Sequence, residues 1–276
     1  MFADLHIHTY FSDGSQSPEE VVRIAKERNL LVISICDHST LDAYDRLYTA
    51  CGDAGIKLVL GVELDVYWQD NRLHLLAYNF NPDDENLLNL IKKSRYELDW
   101  ISVEMIRDMQ KDYPNVTLED YTQYEYTRGL GGWKGINYLK DKGLIDKLED
   151  AMSFHIKYGG YTPKYATLNE ACKIIKEAGG VPVLAHPGIW WLDMTPNFEE
   201  ILTDIKNCGV EGIECYYPVH TEKFRDICID FCRRNNMRIT CGGDGHGIFA
   251  AVFDDIFYDI GIVKADINKL DLKGIL

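Results

Sequence analysis

Short apolar runs of strand length alternate along most of the chain with longer, more polar stretches. Two of these stretches begin with capping boxes, Ser17-Pro18-Glu19-Glu20 and Thr167-Leu168-Asn169-Glu170, which mark helix starts. The predicted strands are residues 2–7, 30–36, 57–64, 72–78, 181–185, 212–215 and 237–241. The predicted helices are residues 18–28, 41–54, 168–178, 197–207 and 222–235.

This alternation predicts an α/β fold with a parallel sheet, because each strand is followed by a helix that can return the chain to the same edge. The strand at 72–78 is an extra one that follows its predecessor without a helix. The number of strands favours closure into a barrel over an open doubly wound sheet. A single α/β barrel commonly takes about 250 residues, so a chain of 276 residues leaves room for an insertion.

One segment interrupts the alternation. Residues 82–163 are mostly helical in character and rich in Tyr and charged residues, and we interpret them as an inserted helical cap. The barrel would then consist of a first part, 1–81, and a second part, 164–276. A glycine-rich loop at 129–135 lies within the cap, and it lacks the Gly-Lys-Ser/Thr ending of a nucleotide phosphate loop. It is interpreted as a hinge between cap helices.

Composition narrows the class of protein. No apolar run approaches the roughly 18 residues of a membrane span, and the first residues lack the features of a secretion signal, so we expect a cytoplasmic protein without membrane contact. The eight cysteines include no Cys-x-x-Cys pair and are expected to be reduced. The net charge of −15 opposes binding to long nucleic acid. A small anionic substrate is still compatible, since metal ions can supply positive potential locally.

Six of the eight histidines lie in segments that contain a carboxylate or end a predicted strand. Imidazole and carboxylate groups together are ligands for zinc, manganese and iron, and several separate segments indicate more than one ion. Any one of these histidines could be a hydrogen-bonded core residue. Their shared position at strand ends, where barrel enzymes build active sites, favours a metal site. The segments are Asp4 to His8, Cys36 to His38, His74, Ala185 to Pro187 and Asp244 to His246.

These segments resemble the motifs of the PHP family, the polymerase and histidinol phosphatase metal-dependent phosphoesterases. The resemblance covers about residues 1–80 and 165–260. The matching stretches are Asp4-Leu5-His6-Ile7-His8-Thr9 with Ser12-Asp13-Gly14, Cys36-Asp37-His38-Ser39-Thr40, Gly61-Val62-Glu63, His74-Leu75-Leu76, Ala185-His186-Pro187 and Gly243-Asp244-Gly245-His246. Two departures are mild: Gly243 stands where serine is common, and Gly245 replaces a bulkier residue.

The resemblance implies a distorted (β/α)7 TIM-like barrel holding two to three divalent ions, manganese above all, with zinc or iron as alternatives. It groups His6, His8 and Asp244 around one ion, and lets Glu63 bridge that ion to a second one at His74. Asp13, His38, His186 and His246 would surround a third. The implied reaction is phosphoester hydrolysis by a metal-bridging hydroxide, with Glu63 and Asp244 as catalytic residues. The implied metal ligands are His6, His8, Asp13, His38, Glu63, His74, His186, Asp244 and His246.

Four further residues are candidates for roles around this site. His220 follows a strand on the same rim and could bind phosphate or protonate a leaving group, although a loop histidine capping the next helix is an alternative. Arg128 and Lys134 border the glycine-rich loop and could hold a second anionic group, although a solvated surface role is the default. Asp37 is expected to orient an imidazole, or else to cap a helix.

Within the family, the position of the cap resembles enzymes acting on nucleoside 3′,5′-bisphosphates and on short RNA from its 5′ end. We therefore expect an enzyme that hydrolyses a small phosphomonoester. The leading expectation for its substrate is the 3′-phosphate of such a bisphosphate or of a short oligonucleotide. Histidinol-phosphate phosphatase is an alternative. A second alternative is a non-catalytic interaction module, like the PHP domain that is attached to replicative polymerases. The sequence leaves the oligomeric state open.

Overall fold

The fold is described from a computed structural model, which covers residues 1–146, 150–192, 197–252 and 259–276. The strands are β1 (Phe2–Ile7), β2 (Leu30–Ile35), β3 (Lys57–Trp68), β4 (Asn71–Tyr78), β5 (Ala166–Thr167), β6 (Val181–Leu184), β7 (Gly212–Tyr216), β8 (Arg238–Cys241) and β9 (Ala265–Asp266). The helices are α1 (Pro18–Glu27), α2 (Tyr44–Ala54), α3 (Glu85–Met109), α4 (Leu118–Gln123), α5 (Lys134–Asp141), α6 (Ala151–Tyr158), α7 (Leu168–Glu177), α8 (Gly188–Trp191), α9 (Phe198–Asn207) and α10 (Glu222–Asn235).

The strands form one sheet in the order β8-β7-β6-β4-β3-β2-β1-β9. Strands β1, β2 and β3 run parallel, as do β6, β7 and β8, but β4 runs antiparallel to both β3 and β6. The expectation of a wholly parallel sheet is therefore wrong at β4. Only two residues separate β3 from β4, and so short a connection can join only antiparallel neighbours. β3 also extends to Trp68, because its second half pairs with β4.

The sheet closes where the loop after β8 meets β1. The amide of Asp244 donates to the carbonyl of His6 at 2.8 Å, and the amide of His8 donates to the carbonyl of Gly245 at 3.0 Å. Within the described ranges, seven strands of four residues or more surround the interior, and β5 and β9 add two-residue edges. The distorted, nearly closed (β/α)7 barrel is confirmed.

Strands on every side of the barrel contribute to a buried interior cluster that includes Leu5, Cys36, Leu76, Val183 and Cys241. Helices cover the outside, since their apolar faces pack on the opposite faces of the same strands. Both predicted capping boxes are present at the starts of α1 and α7. This interior apolar cluster lies directly below the polar groups of the barrel rim.

Helices α3, α4, α5 and α6 lie between β4 and β5 in the chain, within the stretch predicted to be a cap. They share an apolar cluster around Met105, Met109 and Tyr138, and Phe249 from the loop after β8 joins it. The cap boundaries 82 and 163 stay a prediction, and residues 147–149 lie outside the described part of the chain. All eight cysteines are free thiols, as expected. In the described part, no helix has the length and apolarity that a membrane crossing requires.

Candidate metal centre

All nine side chains implied as ligands lie together. Glu63 and His74 come from within β3 and β4, and the other seven lie at or after the carboxyl ends of β1, β2, β6 and β8. The ligand atoms of the nine fall into four overlapping groups whose members lie within 4.8 Å of one another. Because the groups share residues, they form one continuous cluster. The groups are His6, His8 and Glu63; Glu63, His74 and His186; His6, His186 and Asp244; and His8, Asp13, His38 and His246.

His6 and His8 converge because they are two residues apart at the end of an extended strand, which directs both side chains to one face. Their Nε2 atoms lie 3.1 Å apart, and both rings are fully buried. His8 Nε2 also lies 3.0 Å from the Oδ1 of Asp244. Two imidazole nitrogens and a carboxylate oxygen thus face one point.

Glu63 occupies the centre of the cluster, buried in the middle of β3. Its Oε1 lies 3.0 Å from His74 Nδ1 and 3.1 Å from His186 Nε2. Its two oxygens therefore serve different groups, which is the arrangement that a bridging carboxylate needs. Its Oε2 lies 3.3 Å from one nitrogen of each of His6, His8 and His38.

Asp13 anchors the remaining group from the loop after β1. Its Oδ1 lies 3.2 Å from His246 Nε2 and 3.6 Å from His8 Nδ1, and its Oδ2 lies 3.8 Å from His38 Nε2. His186 was expected in this group. It lies instead beside Glu63 and belongs both to the group with Glu63 and His74 and to the group with His6 and Asp244. The reason is that β6 pairs directly with β4, which places His186 next to His74 at 3.3 Å.

The cluster fits divalent cations on the basis of its own unpaired atoms. Asp13 Oδ1, Asp244 Oδ1, His38 Nδ1 and His186 Nδ1 are buried and lack a hydrogen-bond partner among the described residues. Buried polar atoms are nearly always paired, so several such atoms in one place indicate a missing partner. Mixed imidazole and carboxylate donors suit manganese, zinc or iron, and selectivity among them depends on geometry and supply.

Burial and charge act in opposite directions on the pKa values of the cluster. Burial lowers the pKa of His8, but the contacts with Asp244 and Glu63 outweigh it and raise the pKa to about 10. The pKa of His74 is also raised to about 10, because the carboxylates beside it outweigh burial. At His38 burial dominates and lowers the pKa to about 4. Without metal, protons therefore occupy part of the ligand set.

Two of the candidate ligands lie on backbone that rarely suits a residue with a side chain. His186 has φ of 26° and Asp244 has φ of 50°, both on the positive side that residues with a Cβ usually avoid. Each follows the end of a strand, where the chain turns sharply into a loop. Such conformations cost of order 1–3 kcal/mol and persist where the surroundings impose them, as at functional sites.

Sequence reasoning missed two buried carboxylates that orient ligands. Glu214 accepts from the amide of His186 at 2.8 Å and lies 3.1 Å from His6 Nδ1. Asp65 lies 3.2 Å from His74 Nε2. Partners of this kind hold a ligating imidazole in one orientation. The only signal was a carboxylate inside an apolar strand run, which is costly to bury without a function or a partner.

Among the described residues no hydrogen bond joins Asp37 to an imidazole, which disfavours the expected orienting role. Its carboxylate accepts from the amide and the hydroxyl of Thr9, at 2.7 and 2.6 Å, and from the hydroxyl of Ser12 at 2.6 Å. It therefore shapes the loop that carries Asp13. Burial raises the pKa of Asp37, and the nearby charge of His8 and the hydrogen bonds from Ser12 and Thr9 oppose that rise.

His220 uses both ring nitrogens on backbone. Its Nδ1 lies 2.9 Å from the carbonyl of Cys215, and its Nε2 accepts from the amide of Gly188 at 2.9 Å. Burial lowers its pKa to about 4. This geometry disfavours the predicted role as proton donor or phosphate ligand, since neither nitrogen is free. The ring instead ties the loop after β6, which carries His186, to β7.

Arg128 and Lys134 lie in a cationic pocket beside the cluster, together with Arg95 of α3. Arg128 is exposed over the ring of Phe11, and Lys134 donates to the carbonyl of Thr122. In the described ranges neither one pairs with a carboxylate. Sequence reasoning missed Arg95, which is half-buried. Its guanidinium donates to the carbonyl of His38 and also pairs with Asp99.

The glycine-rich loop at 129–135 is more than a hinge. The amide of Gly132 donates to the carbonyl of Asp13 at 2.7 Å. Gly131 and Gly132 both have φ near 70°, and a Cβ on either would lie within 2.7 Å of Phe249. The loop therefore packs tightly on the segments that carry Asp13 and His246. This contact joins the helical insertion to the metal cluster.

Residues 4–179 match the model of the PHP domain, which is more than half of the chain. The chain belongs to the PHP family. Proteins that are similar to it include a 5′-3′ exoribonuclease of Haemophilus influenzae, 26% identical over 255 residues, with 88% of this chain and 89% of the relative covered. A phosphoribosyl 1,2-cyclic phosphate 1,2-diphosphodiesterase of Eggerthella lenta is 25% identical over 273 residues, with 91% and 97% covered.

A 3′,5′-nucleoside bisphosphate phosphatase of Chromobacterium violaceum is 26% identical over 256 residues, with 88% of this chain and 86% of the relative covered. The fold is similar to a crystal structure from Bifidobacterium adolescentis that is classed as a metal-dependent phosphoesterase. That structure has a TM-score of 0.76 and 25% identity, with 96% and 97% covered. This PHP protein is thus a hydrolase of phosphoester bonds, and its His, Asp and Glu cluster is compatible with divalent metals.

Proposed function

We propose that this protein removes the 3′-phosphate from a nucleoside 3′,5′-bisphosphate or a short oligonucleotide. The observation that carries the proposal is the cationic pocket beside the nine-residue cluster, with Arg95, Arg128 and Lys134 in its wall. A substrate with two phosphates could place one at the cluster and the other in this pocket. The resemblance to an exoribonuclease and to a bisphosphate phosphatase supports the same substrate class.

We propose manganese as the metal, with zinc or iron as alternatives, and the nine clustered residues as its ligands. Divalent ions at such a site supply a hydroxide nucleophile near neutral pH and neutralise charge on the phosphoryl group. The role of Glu63 is to hold the two halves of the cluster in one geometry, since its oxygens serve both. Asp244 completes the ligand set and is held by the hydroxyl of Tyr217 at 2.8 Å.

Other residues of the chain would bind the substrate and exclude water. The ring of Trp133 lies 5.6 Å from that of His38, and the ring of Trp190 lies 6.2 Å from that of His74. The two indoles therefore flank neighbouring rings of the cluster, since the rings of His38 and His74 lie 5.2 Å apart. In our proposal Arg128 and Lys134 bind the phosphate that is not cleaved, because planar guanidinium and ammonium groups suit phosphate oxygens.

The test compares adenosine 3′,5′-bisphosphate with adenosine 3′-monophosphate, using the manganese-loaded protein and a metal-free control. We expect conversion of the bisphosphate to adenosine 5′-monophosphate, identified by mass spectrometry. Arg128→Gln should lower kcat/KM for the bisphosphate by about 10-fold, the loss of one charge-assisted contact, and leave the monophosphate nearly unchanged.

Arg23→Gln is the matched control, because Arg23 is exposed on α1 and pairs only with Glu27 among the described residues. It should alter neither substrate. Equal effects of Arg128→Gln on both substrates would contradict the proposal that Arg128 binds the phosphate that is not cleaved. If neither adenosine compound reacts, histidinol phosphate and a ribose 1,2-cyclic phosphate are the next substrates, and release of phosphate from histidinol phosphate would favour the alternative enzyme.

A further inference from the structure

A second cavity, of about 480 Å³, lies among α3, α5 and α6. It shares Asp99, Tyr121, Trp133 and Lys134 with the cationic pocket. Its wall is different in character, because apolar side chains such as Leu98, Ile101 and Ile136 make up much of it. The two neighbouring spaces would therefore bind different parts of one molecule. The cationic pocket would take an anionic group, and the second cavity would take a flat, apolar group.

The cavity borders the metal cluster in three places. Trp133 faces His38, as described above, and the ring of Phe249 lies 6.4 Å from that of His246. Arg72, which also lines the cavity, donates through Nε to Asp65, and Asp65 lies beside His74. A group attached to a phosphate through one sugar could therefore reach the cavity while the phosphate lies at the cluster.

Polar groups are interspersed among the apolar side chains of the cavity, and His155 and Arg72 are two of them. His155 is half-buried in the wall and makes no hydrogen bond among the described residues. Burial and the nearby Arg72 lower its pKa, so near pH 7 the ring is neutral and offers one donor and one acceptor. Arg72 lies over the ring of Tyr165, and in the described ranges only its Nε is in a hydrogen bond.

Apolar and aromatic side chains interspersed with donors and acceptors suit a heterocyclic ring that has polar edges. Aromatic stacking is the usual way in which proteins bind bases without reading their sequence. We propose that this cavity is a nucleobase site, in which the base lies among Leu98, Ile101 and Trp133 and His155 contacts its edge. The proposal rests on the proposed nucleotide activity and adds that the base itself contributes to substrate selection.

The experiment uses the manganese-loaded full chain with adenosine 3′,5′-bisphosphate and with the abasic analogue 1,2-dideoxyribose 3,5-bisphosphate. We expect kcat/KM for the adenosine compound to be at least about 10-fold higher, the size of one stacked base. Ile101→Trp should fill the cavity and bring this ratio close to one. Ile156→Trp is the control, because Ile156 is 81% exposed on α6, and it should leave the ratio unchanged.

Binding of the product gives a readout that does not depend on turnover. In isothermal titration, adenosine 5′-monophosphate should bind at least about 10-fold more tightly than ribose 5-phosphate, and Ile101→Trp should abolish the difference. Equal kcat/KM for the adenosine and abasic substrates in the unmodified protein would overturn the base site while the bisphosphatase activity stands. If neither substrate reacts, the proposed function fails, and the titration still decides the base site. If Ile101→Trp does not fold, the comparison within the unmodified protein decides alone.

Discussion

Each of several ligands at the cluster has a partner that holds it. Glu214 lies against His6, Asp65 against His74, and Tyr217 donates to Asp244. Because Glu214 and Asp65 lie in strands of the barrel and Tyr217 directly follows one, we expect the barrel to fold around the site without a complete ligand set. Loss of a single ligand should therefore act on metal binding and turnover far more than on folding.

Asp244→Ala and His38→Ala test this expectation. Each should reduce kcat by more than about 100-fold, since even the loss of a residue that merely orients a ligand costs about 10–100-fold. Circular dichroism and a thermal melt would verify that the barrel is intact, and metal content would be measured on each variant. Asp226→Ala on the outer face of α10 is the control. Full activity in both ligand variants with verified metal would remove these residues from the site.

At the level of single residues, the sequence predicted which side chains meet, because a motif residue at the end of a strand has little freedom in where it lies. The grouping of His186 was wrong, since it depends on which strand neighbours β6. Glu214 and Asp65 were missed for a related reason. Whether a carboxylate in a strand reaches a histidine depends on contacts between distant segments, which local patterns do not contain.

Among the secondary-structure elements, α2 packs on the barrel through apolar side chains and is also joined to it by one hydroxyl group. Tyr44 Oη lies 2.8 and 3.0 Å from the carbonyls of Ile35 and Val59, and it accepts from the amide of Gly61 at 2.6 Å. The side chain is buried, so water cannot replace these bonds. Gly61 lies two residues before Glu63, which links this contact to the centre of the cluster.

Tyr44→Phe should lower the free energy of unfolding by about 1–3 kcal/mol, because it leaves a buried amide without an acceptor. Urea denaturation of the metal-free protein measures this change. Tyr48→Phe, on the same helix and 57% exposed, removes a hydroxyl from the surface and should change stability by less than about 0.5 kcal/mol. Equal stabilities of the two variants would mean that the Tyr44 hydroxyl does not hold the helix to β2 and β3.

The order of helices and strands followed from apolar runs and capping boxes, both of which are local signals. The direction of β4 did not, because the pattern of 72–78 resembles that of any buried strand. The available clue was the short connection between β3 and β4, which permits only an antiparallel pair. The close packing of Gly131 and Gly132 on Phe249 was likewise out of reach, since it joins segments far apart in the chain.

For the molecule as a whole, charge is distributed unevenly. The chain has a net charge of −15, yet Arg95, Arg128 and Lys134 gather beside the cluster. The cluster itself holds protons when metal is absent, because its carboxylates raise the pKa of His8 and His74 to about 10. A metal ion must displace these protons before it can bind both nitrogens.

Manganese affinity should therefore rise as pH increases from 6 to 9, with protons released on binding. The sign follows from the raised pKa of His8. The metal-free fold stabilises the protonated ring, fully so below the ordinary pKa of 6.5, and this stabilisation is lost as pH approaches 10. Protons therefore compete with the metal less and less as the pH rises. Isothermal titration at pH 7 in two buffers of different ionisation enthalpy gives the number of protons released. An affinity that is independent of pH, with no proton release, would contradict the prediction.

The closure of the barrel between β1 and the loop after β8 also bears on the order in which the protein can mature. Asp4, which accepts from the amide of Gly243, is 239 residues away from it in sequence. A growing chain on the ribosome displays His6 and His8 from the outset, but the two groups that include Asp244 or His246 cannot form until those residues have emerged. Completion of the cluster is thus a late event in biosynthesis, and a chain truncated before β8 would keep only the groups built from His6, His8, Glu63, His74 and His186.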